Sequence, residues 1–162
     1  MKAIQQKENT ANTPHRPLSL RSGRALIKTA LLIEDTILIQ YLHNHYLQAL
    51  GFIVDIVSTQ KVALHHAFQQ RYDLIIADLG LADNQNETLI SHLRSAFSLN
   101  KTTPLIVVTA TGTQDIKVRC LKAGANAFMV KPVSQSVLEK ILYTLGHGKP
   151  SFNELEHQPS SK

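Results

Sequence analysis

The chain has 162 residues, 43% of them hydrophobic, which is enough for one globular domain with its own core. The net charge of +5 resides in the first residues, where Lys2, Lys7, Arg16, Arg21, Arg24 and Lys28 stand against Glu8 alone, so the basicity marks a leader and not a nucleic-acid-binding body. The single cysteine, Cys120, excludes an internal disulfide, and no apolar run reaches the roughly 18 residues a membrane helix needs. The polar N-terminus lacks the apolar core of a secretion signal, and with one cysteine this fits a cytoplasmic location.

Residues 1–24, rich in Gln, Asn, Thr, Ser, Pro and Arg without apolar periodicity, are expected to be a disordered leader. Residues 25–147 form the folded domain and residues 148–162 a polar tail. A first strand is expected over Leu26–Ile33, then a helix capped by Thr36 and stopped by Gly51, with Ile39, Leu42, Tyr46 and Leu50 as its core stripe. Ile53–Val57 reads as a strand whose internal Asp55 places it at a sheet edge. The next helix, about Gln60–Gln70, turns Leu64, Ala67 and Phe68 inward. Asp73–Ala77 is a buried strand, followed by a loop to Gln85 and a helix over about Glu87–Ser98 with Leu89, Ile90, Leu93 and Phe97 as its stripe.

Pro104 opens a fourth strand, where its missing N–H is tolerated. A helix over about Thr113–Ala123 stops at Gly124, a fifth strand covers Ala127–Val130, and Ser134 caps a last helix to about Leu145. Cys120 reads as a packed thiol, and the histidines, none at ligand spacing, as solvated surface. Strict alternation of short apolar strands with helices predicts an α/β fold with a parallel sheet covered on both faces.

Several of these apolar strands end in a polar or charged residue: Glu34 and Asp35, Asp78, Thr109 and Lys131. In a parallel sheet those ends share one edge, where open α/β folds bind ligands. Converging carboxylates repel and call for a cation, and an all-oxygen set favours Mg²⁺. Lys131 adds a positive charge and Thr109 a hydroxyl. The combination suits an incoming phosphoryl group, with Asp78 as nucleophile. Each residue alone has a plainer explanation, such as a turn or a charge at a helix N-terminus.

The ordered set Glu34-Asp35, Asp78, Thr109 and Lys131-Pro132 resembles the receiver domain of two-component response regulators over residues 26–146, as do Tyr72–Asp78 and Lys122–Phe128. The resemblance implies a single flavodoxin-like, doubly wound (βα)5 domain with strand order 2-1-3-4-5. It implies that Asp78 accepts a phosphoryl group from a phosphohistidine. It also implies that Asp35, Asp78 and the Gly80 carbonyl hold Mg²⁺ with help from Glu34. Lys131 and Thr109 then contact the phosphoryl group, Phe128 is the aromatic switch, and Lys131–Pro132 is cis.

A histidine kinase or histidine phosphotransfer protein is the expected donor, docking on Ile37, Leu38 and Tyr41 of the first helix. The output partner is not named by the sequence. The helix 4–strand 5–helix 5 face is the expected output surface, acting by protein binding with no nucleic acid and no membrane. Such a chain is not an enzyme beyond its own phosphorylation and dephosphorylation. An adaptor that works without phosphorylation is the alternative. Ala82 and Asn86 depart from the Pro and Gly common after the acceptor. Gly80 and Thr111 offer no carboxylate or amide to orient water, so slow self-hydrolysis is expected, which a phosphoaspartate lifetime measures.

Overall fold

The computed structural model describes residues 28–80 and 86–147. The expectations for the leader, for Ala82 and for the tail lie outside the described residues, as does the side chain of Asn86. Five strands alternate with five helices: β1 Lys28–Ile33, α1 Ile37–Ala49, β2 Phe52–Val57, α2 Gln60–Gln69, β3 Leu74–Asp78, α3 Asn86–Leu93, β4 Leu105–Thr109, α4 Gln114–Ala123, β5 Ala127–Val130 and α5 Gln135–Thr144. The sheet is parallel throughout, in the order β2-β1-β3-β4-β5. β2 is an edge strand, as the internal Asp55 suggested.

Because side chains alternate across a strand, the sheet divides its apolar residues between two cores. Leu31, Ile33, Ile75, Ala77, Leu105 and Val107 face Ala63 and Ala67 of α2, Leu89, Ile90 and Leu93 of α3, and Cys120 of α4. Ala30, Leu32, Leu74, Ile76, Ile106 and Val108 face Leu47 of α1 and Leu138 and Leu142 of α5. The helices thus cover the sheet two against three. Since β1, β3 and β4 are buried on both faces, their sequences read as continuous apolar runs.

The helix ends follow local chemistry. Thr113 accepts from the Ile116 N–H and Ser134 from the Val137 N–H, and Gly124 takes the left-handed conformation (φ 114°) that closes α4. Thr36 occupies the N-cap of α1 but makes no side-chain cap bond. Its hydroxyl donates to Asp35 Oδ1 instead (3.2 Å).

Two expected core positions differ. Phe68 is exposed on α2, whose buried line is Ala63 and Ala67. Helix α3 ends at Leu93, and Phe97 beyond it is exposed. Arg94 is spent on the following loop: its guanidinium donates to the carbonyls of Gly124 (2.8 Å), Asn100 (3.0 Å) and Thr103 (2.8 Å) and to Asn126 Oδ1 (2.8 Å). Buried Asn100 completes this knot by donating to the Ala67 and Gln70 carbonyls at the end of α2 and accepting from the Tyr72 N–H.

On α1 the buried centre is His43 and Leu47, with Ile39, Leu42, Tyr46 and Leu50 half-buried beside them. His43 is therefore not a solvated surface histidine. Its Nδ1 is buried without a hydrogen-bond partner. Burial lowers its pKa below the ordinary 6.5, Lys131 lowers it further and Asp78 opposes them.

His43 thus binds its proton more weakly in the folded chain than in the unfolded one. Its burial costs nothing extra above the ordinary value of 6.5 and costs progressively more as the pH falls below it. Between about pH 7.5 and about pH 5.5 the wild type should lose more unfolding free energy than His43→Leu. Urea titrations of both proteins at each pH check this, and parallel slopes would contradict it.

Candidate functional site

Parity along the strands decides which polar ends meet. Glu34 continues the alternation of Leu32, Asp78 that of Ile76, and Lys131 that of Met129, all of which point to the α1/α5 side. Registers pair Ile33 with Ala77, so Glu34 follows its strand beside Asp78. The three acids Glu34, Asp35 and Asp78 each bring an oxygen within 4.8 Å of one another. Glu34 (1% exposed) and Asp78 (5%) are buried, whereas Asp35 is exposed.

Lys131 reaches across from β5. Its ammonium donates to Glu34 Oε2 (2.7 Å) and Asp78 Oδ2 (2.6 Å). Burial pulls its pKa down, but the hydrogen bonds and charges of Asp78 and Glu34 outweigh that, and the net shift is upward. The lysine therefore stays charged. The Lys131–Pro132 bond that follows it is cis.

The remaining oxygens are also committed. Glu34 Oε1 accepts the Thr36 N–H (3.0 Å) and Asp78 Oδ1 accepts the Gly80 N–H (2.7 Å). Gly80 leaves little room: a Cβ there would lie 3.3 Å from Asp78 Oδ1. One ammonium among three acids leaves the pocket net negative, and its donors are all oxygen, which fits a hard divalent cation.

Thr109 and Phe128 share the other parity, on the α2–α4 side of the sheet. The Thr109 hydroxyl does not touch Asp78. It accepts from the Thr111 N–H and donates to the Thr111 carbonyl, both at 3.2 Å. Phe128 is half-buried against the core on that side. Above it the β4–α4 loop makes a close approach that the sequence reading missed: a Cβ on Gly112 would fall 2.2 Å from Val130 Cγ2 and 3.3 Å from Phe128 Cε1. A glycine three residues after Thr109 is a signal only once the strand order is known. Ile37, Leu38 and Tyr41 stand 80%, 73% and 72% exposed on the first turns of α1, next to the acids.

Known proteins resemble this chain in sequence and in fold. The family model described as the response regulator receiver domain matches residues 30–143. The transcriptional regulatory protein HprR of Escherichia coli is 38% identical over 108 residues, which cover 67% of this chain and 47% of that protein. The two-component response regulator PhoP of Pseudomonas aeruginosa is 35% identical over 115 residues, or 71% of this chain and 50% of that protein. The chain thus spans about half the length of these curated relatives. Among solved structures, the chemotaxis protein CheY4 of Vibrio cholerae superposes with a TM-score of 0.67 at 26% identity, covering 73% of this chain and 98% of that one. The receiver domain of a Pseudomonas aeruginosa sensor histidine kinase, solved with magnesium coordinated in its active-site cleft, gives a TM-score of 0.66 at 29% identity, over 74% and 98% of the two chains.

Asp35 is the acid without a lysine bond, so removing its charge relieves repulsion and leaves both Lys131 ion pairs intact. Asp35→Asn should be more stable than wild type in EDTA by on the order of 0.5 kcal/mol. Chemical denaturation in metal-free buffer reads this, and a destabilised variant would show that the acids do not repel.

Proposed function

The chain belongs to the response regulator receiver domain family of two-component systems, and we propose that it takes a phosphoryl group from a phosphohistidine onto Asp78. The observation that carries this reading is a buried Asp78 carboxylate held between the Lys131 ammonium and the Gly80 N–H, with Glu34 and Asp35 alongside. A carboxylate oxygen of Asp78 forms the new bond to phosphorus. The bond from phosphorus to the donor's imidazole nitrogen breaks, and that nitrogen keeps the electron pair. The products are an acyl phosphate and a free imidazole.

Mg²⁺ is the cation we assign to the acids, with Asp35, Asp78 and the Gly80 carbonyl as direct ligands and Glu34 in support. When bound, it neutralises charge on the phosphoryl oxygens. Lys131 supplies the fixed positive charge on the other side and already contacts Asp78. The chain catalyses at most its own phosphorylation and dephosphorylation.

Thr109 and Phe128 are the parts we assign to the switch. New phosphoryl oxygens at Asp78 compete with the Thr111 backbone for the Thr109 hydroxyl. Turning toward them breaks the bonds to Thr111 and loosens the β4–α4 loop that Gly112 presses onto Phe128 and Val130. The population of the α4–β5–α5 surface shifts accordingly. Leu121, Val130, Val137 and Tyr143 are its exposed apolar residues, and an output protein is the partner they suit. The donor, a histidine kinase or histidine phosphotransfer protein in the cytoplasm, docks on Ile37, Leu38 and Tyr41.

Phosphotransfer followed by intact-mass measurement tests the chemistry. Wild type should gain one phosphoryl group in the presence of Mg²⁺ and none in EDTA, and Asp78→Asn none in either. An Asp78→Asn protein that is still phosphorylated at wild-type rate would refute the assignment. The docking face has its own test. Ile37→Glu should slow transfer from a phosphorylated histidine phosphotransfer protein by about tenfold or more while transfer from acetyl phosphate stays unchanged, because only the protein donor buries that face. Equal slowing with both donors would mean that the substitution disturbs the acids themselves.

A further inference from the structure

Gln40, on the first turn of α1, has no part in the phosphotransfer reading, yet its side chain reaches back into the site. Its Nε2 donates to the main-chain carbonyl of Glu34 at 2.6 Å and to Ser58 Oγ at 3.1 Å. A carbonyl only accepts, so the amide nitrogen is the end that faces Glu34. Both N–H donors of the amide are thereby used.

The carbonyl it holds lies in the peptide that joins Glu34 to Asp35. Asp35 is exposed, and among the described residues the one side-chain bond to its carboxylate is the Thr36 hydroxyl at 3.2 Å. Its placement therefore depends on the peptides on either side of its Cα. The following peptide is fixed by the Thr36 N–H on Glu34 Oε1 (3.0 Å). The preceding one is fixed by Gln40. One step further back, the Glu34 N–H is bonded to the Val57 carbonyl (3.0 Å), which seats the strand end but leaves the next peptide free to rotate.

We infer that Gln40 is a positioning residue for the acidic site, holding the Glu34–Asp35 peptide so that the Asp35 carboxylate faces Asp78. This rests on the Mg²⁺ assignment above. The chemistry of the side chain suits the task. It donates twice without adding a positive charge that would compete with a cation for the acids. A lysine or arginine at this place would hold the same carbonyl but repel the ion. A plain staple between α1 and the end of β2, through Ser58, is the competing explanation.

Calorimetric titration of the full chain with MgCl2, with melting curves in EDTA, separates the two. Gln40→Met keeps the length and loses the donors. Its Mg²⁺ dissociation constant should rise about tenfold, the low end for residues that orient metal ligands. Ser58→Ala removes the second acceptor and leaves the bond to Glu34, so its constant should stay within about twofold of wild type. The Mg²⁺-induced rise in melting temperature should shrink for Gln40→Met relative to its own EDTA value, whereas a staple lowers both curves equally.

Should Gln40→Met fail to fold, Gln40→Asn, one methylene too short to reach the carbonyl, should show the same weakening. Wild-type affinity in the folded Gln40 variant overturns the inference, and so does a loss in Ser58→Ala equal to that in Gln40→Met. Asp35→Asn is the separate control on the premise. If it binds Mg²⁺ like wild type, the acidic site itself is misassigned, whatever Gln40 does.

Discussion

The Lys131 ammonium between Glu34 and Asp78 is the contact on which the carboxyl edge of this sheet depends. It joins the loop after β5 to the end of β3 and the loop after β1, reaching past β4 to two strands that do not neighbour β5. Without it, two buried carboxylates would face each other with a third close by, a costly arrangement in a low-dielectric rim. With it, one positive charge is set against three acids, and the pocket stays net negative. The same lysine is close enough to influence the buried His43 of α1. The edge, α1 and β5 therefore form one electrostatic unit.

The two faces of the sheet divide the work. Glu34, Asp78 and Lys131 follow the strand positions that point toward α1 and α5, while Thr109 and Phe128 follow those that point toward α2, α3 and α4. The Thr109 hydroxyl, at the end of β4, therefore lies on the opposite side of the sheet from Glu34, Asp78 and Lys131. The Thr109 hydroxyl is held by the Thr111 backbone in this structure, and the loop it holds rests on Phe128 and Val130 through Gly112. A rearrangement of one hydroxyl is mechanically connected to the surface of β5.

At the other end of the strands, Arg94 and Asn100 satisfy the carbonyls of the helix ends and loops. That end is fastened by charge-assisted and amide hydrogen bonds to backbone, which makes it a fixed base. The carboxyl edge differs in kind: Glu34 and Asp78 are held there by the Lys131 ammonium and by the Thr36 and Gly80 N–H groups.

The amino-acid sequence by itself determined the five βα units, the buried strands, the edge position of β2 and the set Glu34, Asp35, Asp78, Thr109 and Lys131. Continuous apolar runs ending in polar residues carry that information locally. It also marked Ile37, Leu38 and Tyr41 as lying off the core stripe. It did not phase α1 correctly, because Ile37, Leu38 and Tyr41 carry apolar side chains off the buried face and the centre of the stripe is a histidine. It carried α3 too far, because Phe97 continues the apolar period while Arg94 leaves the helix to bind carbonyls distant in sequence. Only the tertiary structure decided the bridging role of Lys131, the close approach at Gly112 and the grip of Gln40 on the Glu34 carbonyl. The first two depend on which strand lies beside which, and a contact between residues nearly a hundred positions apart has no local signal to announce it; the third spans only six residues but depends on how α1 folds back over the end of β1.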